Sequence, residues 1–190
     1  MAVLPIYNCF HPVLRKKTIE VKEFDGQLKQ FVDNLHETLF AVSNGVGLAA
    51  NQIGESISVI AIDKSFREKG IPSQPLTLIN PVIEYFSEEE VIDQEGCLSI
   101  PAFYEDISRS VGIQVRFYDI NMKEYSLEAS DFLARVIQHE VDHLNGILMF
   151  ERLTPLKRAL VRSKLKKIER GQVPADYPMI LPDGTLVNPE

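Results

Sequence analysis

The sequence predicts an α+β fold, and three observations carry that reading. A block of short β-branched segments fills the middle of the chain, helical periodicity flanks it on both sides, and no internal repeat divides it. The 190 residues fit one domain able to bury a core without disulfide staples. Apolar residues make up 45% and charged residues 25%, which argues against a disordered or fibrous chain.

The first helix is expected over residues 25–43. Leu28, Phe31, Val32, Leu35, Leu39 and Val42 recur at helical spacing, Asp25 can cap the start, and Gly45 and Gly47 end it. His36, beside that stripe, reads as an ordinary helix residue. Strands follow over 57–62, 76–79, 82–86, 91–93 and 112–118, each with Pro, Gly, Asn or Asp nearby. Residues 119–123 read as a hairpin loop, with 124–129 as the return strand. Ser130 is the expected N-cap of a helix with Phe132, Leu133, Val136 and Ile137 on its apolar face and Gly146 as its stop. A last helix follows Pro155 and runs to Arg170. Residues 171–190 hold four of the eleven prolines and read as a loose tail or strap, not an element. The chain thus divides into a body over 1–170 and a tail over 171–190.

The net charge of −7 argues against a surface built to wrap nucleic acid. No apolar run exceeds four residues, and the start of the chain lacks the order of charge, apolar stretch and cleavage site of a signal peptide. Two cysteines make no disulfide framework. The expectation is a soluble cytoplasmic protein with neither membrane nor DNA as partner.

The strongest local signal is His139-Glu140-Val141-Asp142-His143. Residues four apart stack on one helix face, so two imidazoles can hold one metal ion while the intervening Glu140 acts as general base. Two ligands do not close a catalytic site. A protease pattern that continues to a third His meets Met149 instead, Glu151 is too close, and Glu169 lies in a basic stretch. Cys97, in Glu95-Gly96-Cys97-Leu98-Ser99, is the best candidate, because a thiol beside a dication deprotonates and binds. A free Cys is otherwise usually a small buried hydrophobe, the reading kept for Cys9. Residues 45–52, Gly-Val-Gly-Leu-Ala-Ala-Asn-Gln, are either a helix stop leading into a strand or a backbone wall for an extended ligand with the Gln52 amide at its end. Two rivals stand at this point. A zinc endopeptidase lacks its downstream ligand, and a metal-dependent binding protein without catalysis would not need Glu140 and Gln52.

Taken together, 45–52 as GxGLAAxQ, 95–99 as EGCLS and 138–143 as QHExDH closely resemble the peptide deformylases, in motif order and rough separation. The resemblance extends through Pro12-Val13-Leu14-Arg15 and 144–146, and covers the chain to Arg170. It implies mainly antiparallel sheets around a central metal-binding HExxH helix, with a C-terminal helix, and a catalytic domain over 1–170. It implies removal of the formyl group from the N-terminal methionine of nascent formyl-Met polypeptides. The implied cofactor is Fe2+, which Zn2+, Ni2+ or Co2+ can replace. By matched position, Cys97, His139 and His143 are the ligands, Glu140 the acid/base, and Gln52 with the Leu98 backbone N–H the oxyanion donors.

Phe132, Val136 and His139 share a helix face and, with Val46 and the backbone of Gly47, are expected to form an apolar slot for a methionine side chain. Arg135 is expected to reach the pocket mouth with its stem inside. Glu95 and Arg109 are expected to pair beside the Cys97 loop, and Asp142 to orient an imidazole. After Pro101, family members often carry Gly or a short polar stretch with Arg. This chain has Ala102-Phe103-Tyr104-Glu105-Asp106. The helix over 156–170 carries Lys157, Arg158, Arg162, Lys164, Lys166, Lys167 and Arg170 against Glu169 alone. Val161, Leu165 and Ile168 can fasten one face of it, leaving a basic face that is either merely solvated or turned towards the anionic ribosome.

Overall fold

The computed structural model describes residues 3–65 and 74–189. In chain order these form β1 (Ile6–Tyr7), α1 (Gly26–Ala41), β2 (Gly47–Ala49), β3 (Val59–Asp63), β4 (Pro75–Phe86), β5 (Glu90–Cys97), β6 (Ile100–Ser110), β7 (Gly112–Tyr118), β8 (Glu124–Ser130), α2 (Asp131–Leu144), α3 (Pro155–Glu169), β9 (Met179–Ile180) and β10 (Leu186–Val187), with short 3-10 turns between some of them. The fold is α+β, as expected. An antiparallel sheet runs in the order β2-β3-β4-β7-β8, β5 and β6 form a separate hairpin, and β1-β9-β10 make a small sheet in which β1 and β9 are parallel.

Local chemistry explains most elements. Asp25 Oδ1 accepts from the backbone N–H groups of Gln27 and Leu28 at 3.0 and 2.9 Å and caps α1. Leu28, Val32, Leu35 and Leu39 are buried on one face of that helix. The helix ends at Ala41, and Gly47, expected to help stop it, instead opens β2. The segments 76–79 and 82–86 belong to one strand, β4, and not to two. The break read at Asn80-Pro81 is an irregularity within it: Asn80 takes φ 52°, a conformation Asn tolerates, and its side chain bonds both backbone groups of Val21. The strand β6 was not expected, because its buried Ile100, Phe103 and Ile107 fall at spacings of three and four and a charged residue, Arg109, is buried with them, so no period of two stands out. Gly146, at φ +74°, follows the end of α2, where an added Cβ would meet the backbone of Arg15. The tail is not loose, since it supplies β9 and β10.

The helix α2 is central. It packs against β2, β3, β6, β7 and β8. Its apolar side joins the core cluster of the five-stranded sheet, around Ile60, Leu78, Val115, Val136 and Ile137. A second cluster lies between α1, β2 and β3 and includes Tyr177 and Met179 of the tail. A third joins Leu14, Phe103, Ile107 and Phe150 to Leu165 and Ile168 of α3. Among the described residues, no helix is long and apolar enough to cross a membrane.

Candidate metal centre and pocket

The helical spacing of His139 and His143 brings their rings together edge-on, with centroids 5.0 Å apart. The end of β5 delivers Cys97, with Sγ 3.2 Å from His143 Nε2. One donor atom from each of the three residues lies within 4.8 Å of the others. The Nδ1 of His139 is 3.0 Å from Glu95 Oε2, which turns its Nε2 towards the cluster. Asn51 Nδ2 donates to the His143 carbonyl at 2.6 Å and ties the end of α2 to the 45–52 segment. Burial holds His143 well below the usual imidazole range, so it stays neutral with a lone pair to offer. Burial also works against a proton on His139, but the contacts with Cys97 and Glu95 outweigh it and raise the ring well above the usual imidazole range.

Glu140 follows His139 along α2 and is almost fully buried. Its Oε2 has no hydrogen-bond partner among the described residues. Burial pushes its carboxyl up to about 7. The backbone of β2 passes so close that a Cβ on Gly47 would lie 2.5 Å from Glu140 Oε1 and 2.9 Å from Val136 Cγ1. The Gln52 amide is set by its other end: its Oε1 accepts from Ala49 N–H at 2.8 Å. Its Nε2 therefore points towards Ser99 Oγ at 3.2 Å and Cys97 Sγ at 3.8 Å.

Behind the cluster lies a buried polar network centred on Glu95. Its Oε1 accepts from Arg109 Nε at 2.9 Å and Arg135 Nη1 at 2.7 Å. Its Oε2 takes Arg109 Nη2 and His139 Nδ1, both at 3.0 Å. Burial alone would raise the Glu95 carboxyl; the bonds from His139 and Arg109 hold it well below the usual range. The expected Glu95–Arg109 pair is therefore present. Two other expectations are corrected. Asp142 orients no imidazole: it pairs with Arg109 Nη1 at 2.5 Å and with Arg152, while Glu95 takes the His139 ring. Arg135 is among the cavity-lining residues, but its head does not reach out to the mouth, because Glu95 and the carbonyls of Val91 and Ile107 satisfy it. The Arg152, Asn51, Ser99 and Tyr177 contacts were not foreseen. Asn51 and Ser99 at least stood inside recognised motifs; nothing near Arg152 or Tyr177 marked them.

The cluster opens on a cavity of about 690 Å³. Val46, Gly47, Phe132 and Val136 are among the residues that line it. Gln52, Leu98, Cys97, His139 and Glu140 line it too, as do the tail residues 174–177. One cysteine sulfur and two imidazole nitrogens make a donor set that fits a transition-metal dication, and the orphaned carboxylate oxygen of Glu140 fits proton transfer. Fold and site together define a hydrolase of the metal-assisted class.

The sequence profile of the polypeptide deformylases matches residues 3–159, and the chain belongs to that family. It is 38% identical over 192 residues to the peptide deformylase of Salinibacter ruber, spanning 97% of this chain and 98% of that protein. It is 43% identical over 166 residues to that of Thermodesulfovibrio yellowstonii, spanning 87% and 98%. The crystal structure of a peptide deformylase from Legionella pneumophila superimposes with TM-score 0.79 at 34% identity, over 90% of this chain and 98% of that one. That of a plant peptide deformylase gives 0.83 at 30% identity, over 90% and 92%.

Proposed function

We propose that Cys97, His139 and His143 hold Fe2+, with Zn2+, Ni2+ or Co2+ able to replace it, and that the site deformylates the N-terminal methionine of nascent polypeptides. Removal of the N-formyl group from nascent chains is the activity of this family. One observation carries the residue roles: three donor atoms from β5 and α2 gather within 4.8 Å, and two of the three residues, Cys97 and His139, line a cavity that Glu140 also lines. Held by Cys97, His139 and His143, such an ion would supply Lewis acidity, lowering the pKa of the attacking water and polarising the formyl oxygen. Glu140 takes the proton from that water and passes it to the leaving amine. Its free, buried Oε2 suits that task. Gln52 Nε2 and the Leu98 N–H donate to the oxygen on which charge builds, a type of contact typically worth ~10²–10³ in rate per donor. Val46, Phe132 and Val136 receive the methionine side chain, and the backbone at Gly47 lies along the extended peptide. Glu95 fixes the His139 ring, and Arg109, Arg135 and Asp142 fix Glu95 through the network.

We assign the work to the cytoplasm, because the proposed substrate is a chain leaving the ribosome. The basic helix 156–170 is the face we assign to ribosome docking, since Leu165 and Ile168 fasten its other side to the body. The deciding experiment is metal analysis of anaerobically purified protein, paired with assays on a formyl-Met peptide and on an internal peptide bond. Stoichiometric metal and turnover of the formyl peptide alone are expected. Full activity without metal, or cleavage of the internal bond, would overturn the reading.

A further inference from the structure

Leu98 sits in the turn between β5 and β6, just past a register shift at Gly96 and Cys97. A backbone N–H serves a developing charge only if its direction is set beforehand, and a turn peptide outside a regular ladder needs something else to set it. Here the far end of the chain does so. The Tyr177 hydroxyl donates to the Leu98 carbonyl at 2.6 Å. The next carbonyl, of Ser99, accepts from Cys9 N–H at 2.9 Å. With Cys97 placed by the end of its strand, a fixed Leu98 carbonyl leaves little freedom in the Leu98 dihedrals.

The tail is built to hold Tyr177 there. Gly171 N–H and Asn8 Nδ2 both donate to the Ile168 carbonyl at 3.0 Å, at the near end of the segment. Beyond it, Ile6 N–H donates to the Pro178 carbonyl at 2.9 Å and Asn8 N–H to that of Ile180 at 2.8 Å. Between them, Ser43 Oγ donates to Asp176 Oδ2 at 2.9 Å. The Tyr177 ring is only 9% exposed and belongs to the core cluster of α1 and β2. Burial pushes its phenol up, so it remains a donor.

We propose that Tyr177 is a positioning residue for deformylation: its hydroxyl, carried by the C-terminal strap, holds the Leu98 carbonyl and so aims the Leu98 N–H at the substrate oxygen. The proposal rests on the assignment of that N–H as an oxyanion donor. It makes the segment after α3 a working part of the site, although that segment lies outside all three motifs.

The test compares Tyr177→Phe with Gln52→Ala in the full-length, metal-loaded protein on a short formyl-Met peptide. Tyr177→Phe keeps the ring and removes one hydrogen bond. It should lower kcat roughly tenfold with KM and metal content unchanged. Gln52→Ala should lower kcat by ~10²–10³. In the metal-free protein, the Leu98 amide resonance of Tyr177→Phe should shift and exchange faster with solvent, while that of Ile60 in β3 stays unchanged. A normal kcat for Tyr177→Phe beside a slow Gln52→Ala overturns the proposal and leaves the oxyanion assignment standing. A change in KM alone makes Tyr177 a wall and overturns it too. A wild-type kcat for Gln52→Ala removes the oxyanion assignment and the proposal with it. Asp176→Ala, which frees the strap from Ser43 and leaves Tyr177 in place, is a milder second variant. It should lower kcat in the same sense but less, and an unchanged kcat there with an unfolded Tyr177→Phe also counts against the proposal.

Discussion

Glu95 shows how one residue can serve both packing and chemistry. Its four hydrogen bonds join Arg109, Arg135 and His139 in a largely buried place. Removing one member of such a network strands the others without a counter-charge. Glu95→Ala should therefore cost about 3–5 kcal/mol of stability, measured by urea unfolding. It should also weaken metal retention through the loosened His139 ring. Glu140 makes the contrasting case. It touches the proposed ligands' neighbourhood but is assigned no bond to the ion. Glu140→Gln should keep its metal on elemental analysis and lose at least ~10²-fold in turnover. Wild-type turnover in that variant would remove Glu140 as the proton carrier.

At the scale of the element, β6 and α3 each carry a feature that sequence alone left unexplained. The departure from the family pattern after Pro101 falls on a residue with a special backbone. Ala102 takes φ 51°, a conformation that a Cβ disfavours and glycine adopts freely. Ala102→Gly should raise stability by about 1 kcal/mol, read as a higher urea midpoint with an unchanged slope. A lower midpoint would mean that the neighbours, not the dihedral, decide this position. On α3, Leu165 and Ile168 are buried, while Leu156 and Leu160 stand 73% and 75% exposed beside the basic residues. Part of the basic face is already engaged: Lys157 reaches Asp106 at 3.7 Å, and Lys164 lies 5.3 Å from the centre of the Phe103 ring. Co-sedimentation with ribosomes should weaken steeply with salt, as counterion release requires. Charge reversal at Lys164, Lys166 and Lys167 should abolish it while the rate on a short formyl peptide is kept. Binding insensitive to salt would return α3 to a merely solvated helix.

For the whole molecule, the telling arrangement is three apolar clusters wrapped around the site. They are contributed by every large element, so folding does not depend on an ion as it does in a small zinc domain. Chelation should abolish turnover yet leave the far-ultraviolet circular dichroism and a cooperative thermal transition in place. Collapse of the dichroism on chelation would show that the clusters are insufficient alone.

Much of this was readable along the chain because the signals were local. Asp25 and the stripe from Leu28 to Leu39 describe a capped amphipathic helix wherever they occur. His139 and His143 share a face because any α-helix puts residues four apart there. The GxGLAAxQ, EGCLS and QHExDH segments carried the resemblance as short runs of neighbouring residues. Other features were decided only by contacts between distant segments. Nothing near Asp142 says that Arg109 and Arg152 will occupy it and leave the His139 ring to Glu95. Arg135 turns inward because β5 and β6 present carbonyls at its head. Strand β6 exists because β5 supplies the partner for its ladder, and the tail pairs because β1 offers an edge. Periodicity and capping act within a few residues, whereas an ion pair or a strand ladder depends on which surfaces folding brings together. Tyr177 reaches Leu98 across 79 positions of sequence, a distance that only the folded chain closes.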